Sequence, residues 1–229
     1  MNWVLENLPL IAERMVQHLA TAVPPIVASF ILAVPIGWAA NRFRWSRGTV
    51  LTLCGLLYAI PSLPLFVALP ALIGTGLTDP SGVIIALTLY GVALMVRVTA
   101  DGLGAVDPQV TQSANAVGFS EWSRFWRVDL PLAGPVLLAG IRVVSVSTVS
   151  LTTVGAVLGV GSLGLLFTDG IQRNIPAEIY SGIVGTVLIA LVLDLLLVLI
   201  GRLMMPWAVI VSPRSARRAA TVQSRVAAA

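Results

Sequence analysis

Long apolar stretches, separated by short polar intervals, account for most of the chain. They occupy approximately residues 20–40, 49–74, 83–99, 131–158 and 177–205. A helix of about 20 apolar residues crosses a hydrocarbon core about 30 Å thick, and a helix satisfies its own backbone hydrogen bonds in lipid. The pattern therefore predicts an all-α polytopic membrane protein, with about five transmembrane helices in a domain that covers residues 20–205.

Prolines interrupt the first two apolar stretches. They are Pro24, Pro25 and Pro35 in the first and Pro61, Pro64 and Pro70 in the second. Proline lacks a backbone N–H and clashes with the preceding helical turn, and membrane proteins tolerate such breaks mainly where the helix lines a cavity or packs inside a bundle. We expect kinks or a broken start in the first span, and the second span cannot be one straight helix.

The two ends of the chain differ from its apolar body. Residues 1–19 mix apolar and charged positions, which favours an interfacial segment, and His18, the single histidine, is expected to be solvated at the membrane edge. The N-terminus has neither a positive n-region nor an A-x-A site, so we expect the first apolar helix to be retained. Residues 206–229 are basic and rich in small residues, and this composition predicts a disordered tail.

The composition agrees with a membrane protein. Hydrophobic residues make up 57% of the chain and charged residues 10%, and the mean hydropathy is +0.95. The basic residues other than His18 are all arginines, and all but Arg142 lie outside or at the edges of the apolar stretches, which argues against nucleic-acid binding. Cys54 stands alone in an apolar run, so it is interpreted as a small core residue rather than a metal ligand.

The arginines also predict the orientation. Those that fall on one side of a five-span topology are Arg42, Arg44, Arg47, Arg97, Arg124, Arg127, Arg202, Arg214, Arg217, Arg218 and Arg225. Only Arg14 and Arg173 fall on the other side. By the positive-inside rule, the interval 101–131 and the C-terminus are cytoplasmic and the N-terminus is extracytoplasmic.

Several kinds of catalytic chemistry have no sequence signature here. The chain has no G-x-x-x-x-G-K-[ST], no H-E-x-x-H and no G-x-S-x-G, so it cannot hold ATP in a P-loop, and we expect no enzyme activity and no cofactor or metal in this chain. Gly159, Gly161 and Gly164 spell G-x-G-x-x-G, but a dinucleotide site needs a preceding strand and a following soluble helix. At the outer end of a membrane helix, the motif instead predicts a flexible break near the mouth of a pathway.

Charges within apolar stretches indicate either a path or a structural pair. Asp194 has no charged neighbour in its helix until Arg202, and Arg142 lies inside the fourth span. A charge in lipid is costly unless it is paired or hydrated. A substrate or proton path is one interpretation; a structural pair of Asp194 with Arg142 or Arg97 is the one we favour.

The central polar interval has a defined internal order. Residues 112–117 form a short amphipathic helix with small side chains, Gly118 provides a turn, a second short helix carries Trp and Arg, and Pro131 opens the fourth span. Taken alone, the interval is either a docking surface for a soluble partner or a loop that rests on lipid headgroups.

The spacing of this interval resembles that of the EAA loop of binding-protein-dependent ABC importer permeases. That loop has the pattern E-A-A, then three residues, G, nine residues and I-x-L-P. The matching positions are Gln112, Ser113, Ala114, Gly118, Val128, Leu130 and Pro131. Gln, Ser and Val replace Glu, Ala and Ile, so an ion pair from position 112 is in doubt. The resemblance implies that these residues, with Phe119, Trp122, Phe125 and Trp126 as apolar anchors, couple the chain to an ATP-binding subunit.

Further stretches resemble the glycine betaine/carnitine/choline branch of this class. They include IPSLPLFVALPALIGTG, GVIIALTLYGVALMVR, LPLAGPVLLAGIR and GVGSLGLLFTDGI, and the resemblance covers roughly residues 15–205. It implies a MetI-like type I importer permease that works with a second, identical or homologous permease, two ATP-binding subunits that use ATP and Mg, and an extracytoplasmic binding protein. The cargo would be an osmoprotectant such as glycine betaine, carnitine, choline or proline.

The sequence leaves three alternatives open. The cargo could be an amino acid such as methionine, the chain could be a self-sufficient secondary carrier, or it could be a membrane scaffold without a transport role. Candidate residues of a substrate path follow from aromatic rings, which attract organic cations, and from helix breaks. They are Tyr58, Pro61, Ser62, Tyr90, Gly159 and Gly161.

Overall fold

The computed structural model of the protein describes residues 2–207, and every regular element in this range is a helix. The α-helices are α1 (Asn2–Glu6), α2 (Leu8–Arg42), α3 (Arg44–Ala59), α4 (Ser62–Ile73), α5 (Pro80–Gly104), α6 (Pro108–Ala116), α7 (Glu121–Arg124), α8 (Leu130–Thr152), α9 (Gly164–Gln172) and α10 (Pro176–Met204). A π-helical turn, Phe125–Asp129, joins α7 to α8, and a 3-10 helix, Thr153–Leu158, follows α8.

The predicted number of membrane spans is confirmed. Within residues 2–207, four helical runs are long and apolar enough to cross a membrane: Leu8–Arg42, Pro80–Gly104, Glu121–Leu158 and Pro176–Met204. Two further apolar helices, Trp45–Ala59 and Ser62–Ile73, meet at an angle of 99° and make a fifth span when the bent pair is counted as one. Most of the predicted tail, residues 208–229, lies outside the described residues.

The first span differs from its prediction. The helix α2 is continuous over 35 residues, through all three of its prolines, so the expected broken start is wrong. Each proline removes only one backbone hydrogen bond, and α2 packs against α5, which holds the remaining turns in place. No helix end coincides with the predicted boundary at residue 19.

The expectation of a solvated His18 is also wrong. Its side chain is fully buried, and neither ring nitrogen has a hydrogen-bond partner within the described part of the chain. Because α2 already begins at Leu8, His18 lies on the same buried face as Ala22, Ile26 and Ser29, which follow at helical spacing.

The second span bends where the sequence predicted a break. At Ile60 and Pro61 the backbone is extended, with ψ of 128° and 139°, and α4 begins at the next residue. A proline pushes the residue before it out of the helical region, so α3 ends one residue before Ile60. The hydroxyl of Tyr90 in α5 donates to the Ile60 carbonyl at 2.7 Å, which satisfies an acceptor that the bend has freed.

The centre of the bundle is formed by α2, α5 and α8, with small residues at the helix contacts. A Cβ on Gly37 of α2 would lie 2.5 Å from Cβ of Thr99 in α5, and a Cβ on Gly91 would lie 2.6 Å from Cβ of Ser29. Such contacts let membrane helices approach closely. The helices α2 and α5 therefore pack as one unit along their length.

At the end of α8 farthest from α6, the chain turns through the glycine-rich stretch. Gly159 has φ 82°, a conformation that other residues rarely adopt. Gly164 packs directly against the backbone carbonyl of Thr153, which leaves no room for a side chain. The G-x-G-x-x-G spacing thus serves a turn and a close helix contact.

Candidate coupling surface

The helix α6 presents its whole length to solvent. Its N-terminus is capped by Asp107, whose carboxylate accepts the N–H of Gln109 at 2.8 Å, and no residue of α6 is buried. Gln112 and Ser113 are exposed, and Ala114 is half-buried. Since the remainder of the bundle does not cover this helix, its surface is open to a partner.

The turn after α6 depends on Gly118. Its φ is 91°, and the N–H groups of Gly118 and Phe119 donate to the carbonyls of Asn115 and Ala114, at 3.0 and 3.1 Å. This hydrogen-bond pattern ends a helix with a left-handed residue that is usually glycine. Nothing lies within 4 Å of a Cβ built on Gly118, so backbone conformation rather than space explains the glycine.

The second short helix is not separate from the fourth span. Ser120 caps α7 by accepting the N–H of Ser123, and the helical run then continues from Glu121 to Leu158. In the π-helical turn the N–H of Leu130 reaches back to the carbonyl of Phe125. The wider turn directly precedes Pro131, which has no N–H to donate, and the helix passes this proline unbroken.

Four aromatic rings, which we name the aromatic cluster, form a contact between this region and α2. They are Trp38, Trp122, Phe125 and Trp126. The Trp38 ring centroid lies 6.1 Å from that of Trp122 and 5.5 Å from that of Phe125, and the Phe125–Trp126 distance is 5.0 Å. Phe125 is only 3% exposed. It therefore anchors the region inwards, and the expectation that it serves as a docking anchor is corrected, whereas Trp122 and Trp126 remain exposed.

Polar contacts hold the turn together. Arg124 pairs with Asp129 at 3.1 Å and donates to the side-chain oxygen of Asn115 at 2.8 Å, which ties α6 to the helix that follows. Glu121 pairs with Arg42 at the end of α2. Arg124 is therefore committed to internal contacts, and Arg127 is the exposed arginine of this segment.

Four of the six candidate path residues meet at the bend of the second span. The rings of Tyr58 and Tyr90 are perpendicular, with centroids 5.9 Å apart, and Pro61 and Ser62 follow the Ile60 carbonyl that Tyr90 contacts. The two glycines lie elsewhere: a Cβ on Gly159 would approach Thr78, and one on Gly161 would meet the Gln17 side chain of α2.

The intramembrane charges form one pair. Arg142 and Asp194 are joined by two hydrogen bonds, and their side chains are 43% and 28% exposed. Arg97 is exposed and belongs to no ion pair in the described part of the chain. The structure thus brings together two of the three candidates.

The class of protein to which this helical bundle belongs is given by its sequence family, the membrane components of solute transport systems. Residues 26–209 match the family described as binding-protein-dependent transport system inner membrane component. The chain belongs to this family. It is a permease component of the inner membrane and not an enzyme, and the resemblance found in the sequence is confirmed.

Individual relatives cover nearly the whole chain. The osmoprotectant import permease protein OsmW of Salmonella typhimurium (strain LT2) is 33% identical over 202 residues, 86% of this chain and 92% of that protein. The glycine betaine/carnitine/choline transport system permease protein OpuCB of Bacillus subtilis is 28% identical over 190 residues, 83% and 86% of the two chains.

A solved structure shows the same fold. A chain of the MetNI methionine ABC transporter, in an inward-facing conformation, superimposes with a TM-score of 0.74 at 17% identity. The match covers 87% of this chain and 98% of that chain. At this identity the likeness establishes the MetI-like fold and leaves the cargo open.

Proposed function

We propose that the chain is the permease subunit of an ATP-driven importer of osmoprotectants, with glycine betaine, carnitine, choline or proline as the cargo. The observation that carries this proposal is the uncovered α6 with its Gly118 turn, joined directly to a membrane-spanning helix. The names of the relatives at 33% and 28% identity support the cargo. A methionine or other amino-acid importer is the alternative within the class, and a secondary carrier the alternative outside it.

The proposed assembly contains two permeases, identical or homologous, two ATP-binding subunits and an extracytoplasmic binding protein. ATP and Mg belong to the ATP-binding subunits. We place α6 and the C-terminus in the cytoplasm and the N-terminus outside. Arg42, Arg47 and Arg124 support this orientation, because they contact residues at the same end of the bundle as α6.

The proposed mechanism is alternating access, in which movement of the ATP-binding subunits turns the permease outward and then inward. The surface for docking is formed by Gln112, Ser113, Ala114, Gly118, Phe119, Trp122, Val128, Leu130 and Pro131, of which the last three lie in or beside α8 and position the others. Because Gln112 carries no charge, docking rests on the shape of the turn and on apolar contacts rather than on an ion pair from that position.

The proposed path passes the bend of the second span. A quaternary ammonium group is attracted to the face of an aromatic ring, and Tyr58 is exposed beside Tyr90 at the bend. Gly159 and Gly161 would act at the outer mouth, as part of the turn that follows α8. Most of the selectivity would reside in the binding protein.

Uptake of labelled glycine betaine in cells that carry the whole system tests the cargo. Unlabelled choline, carnitine and proline are the competitors, and methionine is the control. We expect competition from the osmoprotectants and none from methionine. No uptake of glycine betaine, together with uptake of labelled methionine, would support the amino-acid alternative. Reconstitution of the permease without its ATP-binding subunit tests the class, because transport by the permease alone would identify a secondary carrier.

A further inference from the structure

Two routes lead from the turn after α6 into the bundle. One is the unbroken helical run from Glu121 to Leu158, which carries any movement of the turn into α8. The other is the contact of Trp122 and Phe125 with Trp38, which belongs to α2 and not to the helix that follows the turn. The second route reaches α2 from the turn itself, and α8 also packs against α2 within the bundle.

A cavity lies at the junction of the turn with α2 and α5. It has a volume of about 210 Å³ and adjoins the aromatic cluster. Its lining residues are Trp38, Asn41, Arg42, Leu103, Glu121, Arg124 and Asp129. The rings around Trp38 and the Arg42–Glu121 pair cross this junction beside the cavity and join the turn to α2.

The position next to Trp38 fixes α2 to α5. A Cβ on Gly37 would lie 2.5 Å from Cβ of Thr99, so the two helix backbones are in close contact at this level. Movement of Trp38 would therefore be transmitted to α2 and α5 together rather than to a loosely held helix end.

We propose that Trp38 is a positioning residue, which makes α2 move together with the turn after α6 during each ATP-driven cycle. This inference rests on the proposed function. The turn moves α2 and α5 through the contacts of Phe125 and Trp122 with Trp38. It moves α8 through the helical run that continues from Glu121. The Arg42–Glu121 pair orients the contact; its side chains are 37% and 57% exposed, so it adds little energy.

The test uses the complete importer in proteoliposomes and measures solute moved per ATP hydrolysed. For Trp38→Ala we expect this ratio to fall about fivefold, because the loss of aromatic ring contacts has an effect of this size. The ATP-binding subunit should still co-purify. Trp38→Phe keeps a ring and should retain most of the ratio. Trp45→Ala is the matched control, since Trp45 is 85% exposed and in no ring contact within the described residues.

An unchanged ratio in Trp38→Ala would overturn the inference, as would a loss of transport and hydrolysis in strict proportion to the amount of assembled complex. Should Trp38→Ala fail to insert, the exposed ion pair provides the second test. Arg42→Glu and Glu121→Arg should each lower the ratio about twofold, and the double reversal should restore it; a double variant no better than either single variant contradicts the inference.

The proposed function can fail separately. The proposed function is wrong if the wild-type importer shows no ATP-dependent uptake. It is also wrong if the ATP-binding subunit still binds a permease whose turn at Gly118 has been disrupted by substitution. If the proposed function passes both tests and Trp38→Ala keeps the wild-type ratio, only the connection through α2 is wrong.

Discussion

Arg142 donates two hydrogen bonds to the two carboxylate oxygens of Asp194, from Nε at 2.6 Å and from Nη2 at 2.8 Å. Both residues lie well inside membrane-spanning helices, α8 and α10. A bidentate pair is the geometry in which a guanidinium and a carboxylate bind most favourably, and in lipid it replaces two costly isolated charges with one compact dipole.

Asp194→Asn is therefore expected to reduce the amount of folded permease in the membrane severalfold, because it leaves the Arg142 guanidinium without its counter-charge. Size-exclusion chromatography of the detergent-solubilised protein measures this. The double variant Arg142→Gln with Asp194→Asn should recover part of the loss, since neither charge then remains unpaired. Normal folding of Asp194→Asn with a selective loss of transport would instead assign the pair to the substrate path.

The contacts of Arg124 predict a defect in docking rather than in folding. Arg124→Gln removes the bonds to Asn115 and Asp129, so α6 should lose its fixed orientation and co-purification of the ATP-binding subunit should fall. Arg127→Gln removes the same charge from an exposed side chain of the same segment and should have a smaller effect. Equal losses in the two variants would show that positive charge, and not the orientation of α6, determines docking.

The hydroxyl of Tyr90 predicts a stability effect without an affinity effect. Tyr90→Phe leaves the Ile60 carbonyl without its donor, at a cost of about 1 kcal/mol, which corresponds to a melting temperature lower by about 2–4 °C for a chain of this size. Tyr180→Phe is the control, because Tyr180 is 66% exposed. A variant with normal stability and a changed KM for uptake would show that the hydroxyl contacts the cargo.

The local features of the fold could be predicted from the sequence. The broken second span follows from Pro61, the turn after α6 follows from Gly118, and the Arg142–Asp194 pair follows from the cost of charge in lipid. Each of these depends on properties of a few neighbouring residues or on a strong energetic requirement.

The remaining features depend on packing between distant parts of the chain. No local signal shows that Trp38 contacts Phe125, and for this reason sequence reasoning missed Trp38 and treated Phe125 as an external anchor. His18 was misplaced because the first helix extends well beyond its apolar stretch. The continuity of α2 through Pro24 and Pro25 likewise reflects its packing against α5. The intrinsic helix propensity of the individual residues does not include such packing.

The turn at Gly118 tests the central claim, that α6 docks the permease onto an ATP-binding subunit. Gly118→Asp adds a charge and forces an unfavourable backbone conformation at φ 91°. Gly118→Asn is the matched control, since it has nearly the same shape without the charge and tolerates this region of φ better than most residues.

The decisive measurement is the amount of ATP-binding subunit that co-purifies with equal amounts of inserted permease. For Gly118→Asp we expect about a tenfold loss, equivalent to about 1.4 kcal/mol of binding free energy, together with loss of ATP-dependent uptake, and for Gly118→Asn a smaller loss. A Gly118→Asp permease that inserts, retains the ATP-binding subunit and transports at the wild-type rate would contradict the assignment of α6 and its turn as the coupling surface.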